Sequence, residues 1–123
     1  MNLMKNLYKV IDSKSELDSL EYIIKLNPSH KIYLGHYPGH PITPGVIQMA
    51  IIEELCGLKL NQKLKLAKIT TCKFVGIINP IENPVISLSI ILNKIDDAVL
   101  VSATISHLND EFFKLKSEYE IIH

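Results

Sequence analysis

A chain of 123 residues, 47% hydrophobic and 21% charged, fits one globular domain that buries its own core. Its thirteen basic residues are all Lys and balance thirteen acidic ones, so formal net charge is zero and no Lys run interleaves with aromatics. That argues against a nucleic-acid or anionic-membrane partner, and the absence of Arg removes bidentate guanidinium recognition of phosphate or carboxylate.

Taken in chain order, Asn6 to Ile11 and Glu21 to Leu26 read as strands around a polar turn at Asp12 to Ser19. A short extended piece at Lys31 to Leu34 leads into a Gly- and Pro-rich loop. One strong helix follows. Thr43 is its expected N-cap, Pro44 suits the first turn and Gly57 is the expected stop. Between them, Val46, Ile47, Met49, Ala50, Ile51, Ile52, Leu55 and Cys56 leave only Gln48, Glu53 and Glu54 polar, so the helix should be buried on nearly every side. Ala67 to Val75 reads as a strand ending near a loop at Asn79 to Pro84. Three alternating segments follow, each with a period of two. Ile86, Leu88, Ile90 and Leu92 alternate with Ser87 and Ser89, and Val99, Val101, Ala103 and Ile105 with Ser102, Thr104 and Ser106. Phe113, Leu115, Tyr119 and Ile121 alternate with Lys114, Lys116, Glu118 and Glu120. The polar joints Asp96-Asp97 and Asn109-Asp110 suit hairpin turns. The pattern predicts a single α+β domain over residues 1–123. In it a curved antiparallel sheet of five to seven strands wraps around the helix Pro44 to Cys56.

The chemistry concentrates in Gly35-His36-Tyr37-Pro38-Gly39-His40-Pro41-Ile42-Thr43-Pro44-Gly45-Val46. Three glycines and three prolines within it fix an irregular backbone. The unpaired N–H groups of Gly45 and Val46, at the helix start, can polarise a carbonyl or hold an anion. A His on the same loop can act as a base toward whatever they hold.

This string resembles the G-H-F-P-G-x-P-x-x-P-G-V signature of the 3-hydroxyacyl-acyl-carrier-protein dehydratases of the FabZ and FabA type, with Tyr37 in place of Phe. The order of strands and helix is similar to the family's hot-dog fold over essentially the whole chain, and Phe74 to Pro84 resembles its loop between helix and sheet meander. The resemblance implies that His36 removes the α-proton of a 3-hydroxyacyl thioester and that the Gly45 N–H binds the thioester carbonyl. Tyr37, Val46 and Gln48 are the substrate-binding candidates. The family's acid sits fourteen residues after the His and comes from the partner subunit; here that position is Ala50, which cannot donate a proton. Glu54 stands one helical turn further on, on the same face and about 6 Å along the axis, and is the candidate for a relocated acid.

The implied partners are an acyl carrier protein bearing the thioester and a second subunit. That subunit is a copy of the chain or a dehydratase paralogue, with a trimer of dimers as a larger form. No metal or organic cofactor is implied, since dehydration needs acid–base groups and an oxyanion site. Two alternatives stand beside dehydration: a non-catalytic subunit that pairs with an active paralogue, and an acyl thioesterase. The remaining features have plainer readings. His40 faces solvent at a variable family position, and His30, His107 and His123 carry no function. Cys56 and Cys72 are too few and too far apart for a zinc site or disulfide framework, which reads as a reduced, cytoplasmic setting with two small core residues. Glu53 marks where the helix emerges into water. Tyr37, Ile47, Met49 and Ile51 lie where an acyl chain would run. The first ten residues hold no apolar stretch of signal-peptide length, and no 18-residue apolar run predicts a membrane span.

Overall fold

Alternation of period two produces a sheet with one apolar face, and that face needs an apolar partner. A computed structural model describes residues 4–34 and 41–123. In it the strands β1 (Tyr8–Ser15), β2 (Ser19–Leu26), β3 (Lys63–Phe74), β4 (Val85–Ile95), β5 (Ala98–His107) and β6 (Asp110–Ile122) form one sheet in the order β1-β2-β4-β5-β6-β3. Every neighbouring pair is antiparallel. The helix α1 (Gly45–Leu60) lies against the concave face, giving the α+β hot-dog fold. Ile51, Ile52, Leu55 and Cys56 of α1 share one core with Ile24, Leu88, Ile105, Phe113 and Tyr119 from the sheet.

β4, β5 and β6 form the expected meander, with β3 as the fourth strand beside β6. Several boundaries differ from expectation, each for a local reason. The Asp12 to Ser19 segment is not one long turn, since β1 runs on through Ser15. As an edge strand exposed over nearly its whole length, it has no reason to alternate. Lys31 to Tyr33 is a turn of 3-10 helix rather than extended chain, because the buried His30 caps it: His30 Nδ1 accepts from the Ile32 N–H at 3.0 Å. β3 begins four residues earlier than Ala67, where Lys63 and Lys65 disguise it. The third hairpin turns at Leu108, in a left-handed conformation, so Asp110 already belongs to β6.

The helix differs at both ends and on one side. Pro44 holds the N-cap position, and no side chain caps the turn. Thr43 is instead buried, its hydroxyl bonded to the Tyr33 hydroxyl at 2.9 Å and its N–H to the Ile78 carbonyl. Gly57 does not stop the helix. Asn61 does, in a left-handed conformation, while Gln62 N–H folds back onto the Gly57 carbonyl at 3.0 Å. A Cβ on Gly57 would stand 2.9 Å from the Gln62 carbonyl oxygen, which explains a glycine inside the last turns. Nor is α1 covered on nearly every side: Val46 is 73% exposed and Leu58 is open too, because the sheet of one chain curls around only part of the helix.

Candidate functional site

Gly45 opens α1 directly beneath a neighbouring aromatic ring. A Cβ there would lie 2.3 Å from two carbons of the Phe74 ring, at the end of β3. Phe74 in turn stacks on Phe113 of β6, with centroids 4.9 Å apart. The sheet thus positions the start of the helix through two aromatic rings. The Pro44 carbonyl accepts the N–H groups of Ile47 and Gln48 at 3.0 and 3.1 Å. The N–H groups of Gly45 and Val46 precede these bonds and have no side-chain cap among the described residues, the arrangement that can meet a carbonyl oxygen or an anion.

Gln48 sits beneath that turn, only 3% exposed. Its Nε2 donates to the Thr43 carbonyl at 3.1 Å, tying the first turn to the segment before it. Its Oε1 is buried with no partner among the described residues. The bond to Thr43 fixes the amide orientation, since a carbonyl oxygen only accepts.

Ala50 and the two helix carboxyls lie along the open side of α1. A groove of about 620 Å³ is lined by Ala50, Glu53, Glu54 and Leu58 together with Lys63 and Leu64 of β3. A second, of about 250 Å³, runs between Val46, Met49, Ala50 and Glu53 on the helix and Leu66 and Tyr119 on the sheet. Glu54 is half-buried and accepts a hydrogen bond from the hydroxyl of Tyr8 on β1. Burial foremost, and then the Glu54 carboxylate, push the Tyr8 phenol well above its ordinary range, so Tyr8 keeps its proton and donates.

Glu53 is the residue that the sequence reading missed. It does not simply emerge into water: it is half-buried, lines both grooves beside Ala50, and burial raises its carboxyl above the ordinary range. Its charge also helps to raise the buried Cys56 thiol, secondarily to burial. The available signal was spacing, because a residue three beyond Ala50 is its neighbour on the helix surface. His36 and Tyr37, with His40, lie outside the described residues. The structure therefore brings Val46, Ala50 and Glu53 along one groove and Ala50, Glu53 and Glu54 along the other, while Gly45 packs on Phe74 and Gln48 is buried beneath the first turn. Among the described residues no three His, Cys, Asp or Glu side chains gather as a metal site, and no helix is long and apolar enough to cross a membrane.

Comparison with known proteins adds family evidence to this geometry. A family model described as ApeI-like, ApeI dehydratase, matches residues 12–109. The 3-hydroxyacyl-[acyl-carrier-protein] dehydratase FabZ of Legionella pneumophila (strain Corby) is 29% identical over 55 residues. That match covers 42% of this chain and 37% of the relative, so the chain spans little more than a third of that enzyme. Among solved structures, the dehydratase heterocomplex ApeI:P from Xenorhabdus doucetiae has a TM-score of 0.75 at 18% identity, covering 91% of this chain and 96% of that one. The protein yhdA, a suggested thioesterase from Lactococcus lactis, has a TM-score of 0.71 at 13% identity, covering 99% and 98%. At such identities both likenesses concern the fold.

Proposed function

We propose that this chain, which belongs to the ApeI-like dehydratase family, dehydrates 3-hydroxyacyl thioesters carried by an acyl carrier protein, in fatty-acid or polyene-type synthesis. The observation that carries the reading is the uncapped start of α1: the last two residues of the signature string, Gly45 and Val46, supply its first N–H groups. In this reading the Gly45 N–H holds the thioester carbonyl and stabilises the enolate-like charge. His36 takes the α-proton. A helix carboxyl, Glu54 in the position one turn past Ala50, gives a proton to the departing 3-hydroxyl. The α C–H and the C3–O bonds break, the 2-enoyl double bond forms, and water leaves. Tyr37 and Val46 would contact the acyl chain, and Gln48 would hold the turn that presents Gly45.

The open side of α1 and the outer edge of β3 leave room for a second subunit. Leu66 and Ile69 on β3 are partly exposed, and its edge pairs with nothing among the described residues. We infer a dimer closed there, either of this chain or with a paralogue. Ala50 favours the second arrangement, in which the partner supplies the acid and this chain the base. The similar structure from Xenorhabdus doucetiae is a dehydratase heterocomplex, ApeI:P.

The test is conversion of a 3-hydroxyacyl-carrier thioester by the purified chain, followed by the absorbance of the conjugated enoyl product. His36→Ala should abolish turnover, and Glu54→Gln should reduce it at least tenfold. Full activity in Glu54→Gln removes Glu54 from the reading. Activity only after mixing with an acid-bearing paralogue assigns the subunit role. Release of free thiol without enoyl product would make the chain a thioesterase and refute dehydration.

A further inference from the structure

On the outer face of the sheet, away from α1, register builds a small grid from three adjacent strands. In one row Lys73 of β3 stands opposite Lys114 of β6, which stands opposite Thr104 of β5. In the next row Thr71 stands opposite Lys116, which stands opposite Ser102. These six side chains line a hollow of about 360 Å³. The floor is closed by the buried Ala103 and Leu115.

The charges here break the pattern of the same strand pair. Further along, Lys68 faces Glu118 and Lys65 faces Glu120, opposite sign against opposite sign. At the grid, Lys73 faces Lys114, and like charges directly opposed across strands destabilise a sheet. Among the described residues Lys73 and Lys116 form no ion pair, while Lys114 reaches Glu111 at 3.1 Å on an exposed surface. Opposed side chains start about 5 Å apart, so three flexible ammonium groups can converge on one small anion. Three hydroxyls at the hollow's wall can donate to its oxygens. A dianion with several acceptor oxygens satisfies all six groups at once, whereas a monovalent carboxylate leaves both charge and donors in excess.

We propose that the grid of Lys73, Lys114 and Lys116 with Thr71, Ser102 and Thr104 binds the phosphoryl group of a phosphate monoester. The ester is a free small molecule, since the arm of a carrier protein is joined through a phosphodiester that bears a single charge. The site is separate from the helix grooves and does not depend on dehydratase activity.

Titration of the isotope-labelled protein with inorganic phosphate should give saturable amide shifts at Ser102, Thr104 and Lys116, absent with sodium chloride at equal ionic strength. The double variant Lys73→Ala/Lys116→Ala should bind phosphate at least tenfold more weakly. It should also melt at a higher temperature than wild type without phosphate, because the like-charge contact is gone. Glu111→Gln, which frees Lys114, should bind phosphate a few-fold more tightly. Coenzyme A, which carries a 3′-phosphate monoester, should bind more tightly than a phosphopantetheinylated carrier protein, whose phosphate is a singly charged diester; the reverse order would overturn the proposal. Equal responses to phosphate and chloride, or undiminished phosphate binding by the double variant, would overturn the proposal.

Discussion

The contact between Gly45 and Phe74 offers a prediction whose sign changes with its neighbour. None of the described glycines Gly45, Gly57 and Gly76 adopts a left-handed backbone, so Gly45 needs another explanation. Its constraint is the ring, 2.3 Å from where a Cβ would stand, over 1 Å inside ordinary contact. Gly45→Ala should therefore turn the 59% exposed Phe74 ring outward or shift the first helical turn, at the low end of the usual overpacking cost of about 1–3 kcal/mol. Part of that cost is the stack of Phe74 on Phe113, which contributes about 0.5–1.5 kcal/mol beyond its area. Alanine also restricts the unfolded chain, which offsets the loss by about 0.4–1 kcal/mol. In wild type the ring dominates and Gly45→Ala is destabilising. In a Phe74→Ala background the ring is gone, only the alanine gain remains, and the same substitution should stabilise. Urea unfolding of wild type, both single variants and the double variant gives the coupling energy directly. Equal destabilisation by Gly45→Ala in both backgrounds would refute the steric account. The requirement for glycine would then lie in the backbone itself.

Three further outcomes follow from the burial of single groups. Burial holds the Glu53 carboxyl above its ordinary range, so its contribution to stability is fully present below the ordinary carboxylate range and is lost as pH rises through the folded value. Glu53→Gln should therefore be more stable than wild type at neutral pH, with the gap closing in mild acid; a gap that widens on acidification contradicts the burial of Glu53. Burial first and Glu53 second push the Cys56 thiol up to about 12, so with a thiol-reactive dye only the half-buried Cys72 should react in the native state. Two fast thiols would mean that α1 is not packed as described. His30 joins two segments, with Nδ1 accepting from Ile32 and Nε2–H donating to the Lys5 carbonyl at 2.9 Å, so His30→Ala should cost about 1–3 kcal/mol in urea unfolding.

What could be read from the sequence divides along physical lines. Strands β4, β5 and β6 were legible because each is buried on one face only, which writes burial into the sequence as a period of two. The second half of β1, past Ile11, and the start of β3 were not, because edge strands bury little on either face and their lysines and acids resemble turns. The helix was legible by its apolar run, but its last four residues were not. Gly57 looks like a stop, and only the fold-back of Gln62 shows why a glycine is needed inside the helix. At the site, a helix start beside Gly45 was legible from Pro44, which suits a first turn. The role of Glu53 was not, because its groove is completed by Leu66 and Tyr119, brought there by the curl of the sheet.

Those neighbours bear on the alanine at position 50. Moving a carboxyl along a helix changes its surroundings as well as its position, and the two acids past Ala50 have acquired different ones. Glu54 is held by Tyr8, whose own proton is secured by burial, so Glu54 is oriented as an acceptor. To act as an acid it must carry a proton and turn one oxygen away from the phenol. Glu53 has no such tether; burial raises its carboxyl, and it borders both the wider groove with Glu54 and the narrower one with Val46. General acid work requires a group that is protonated before the hydroxyl departs, which is the state that burial favours. Orientation thus belongs to one carboxyl and proton affinity to the other. A paired subunit with its own acid would relieve this chain of both requirements, leaving Gly45 and His36 as its part of a shared site.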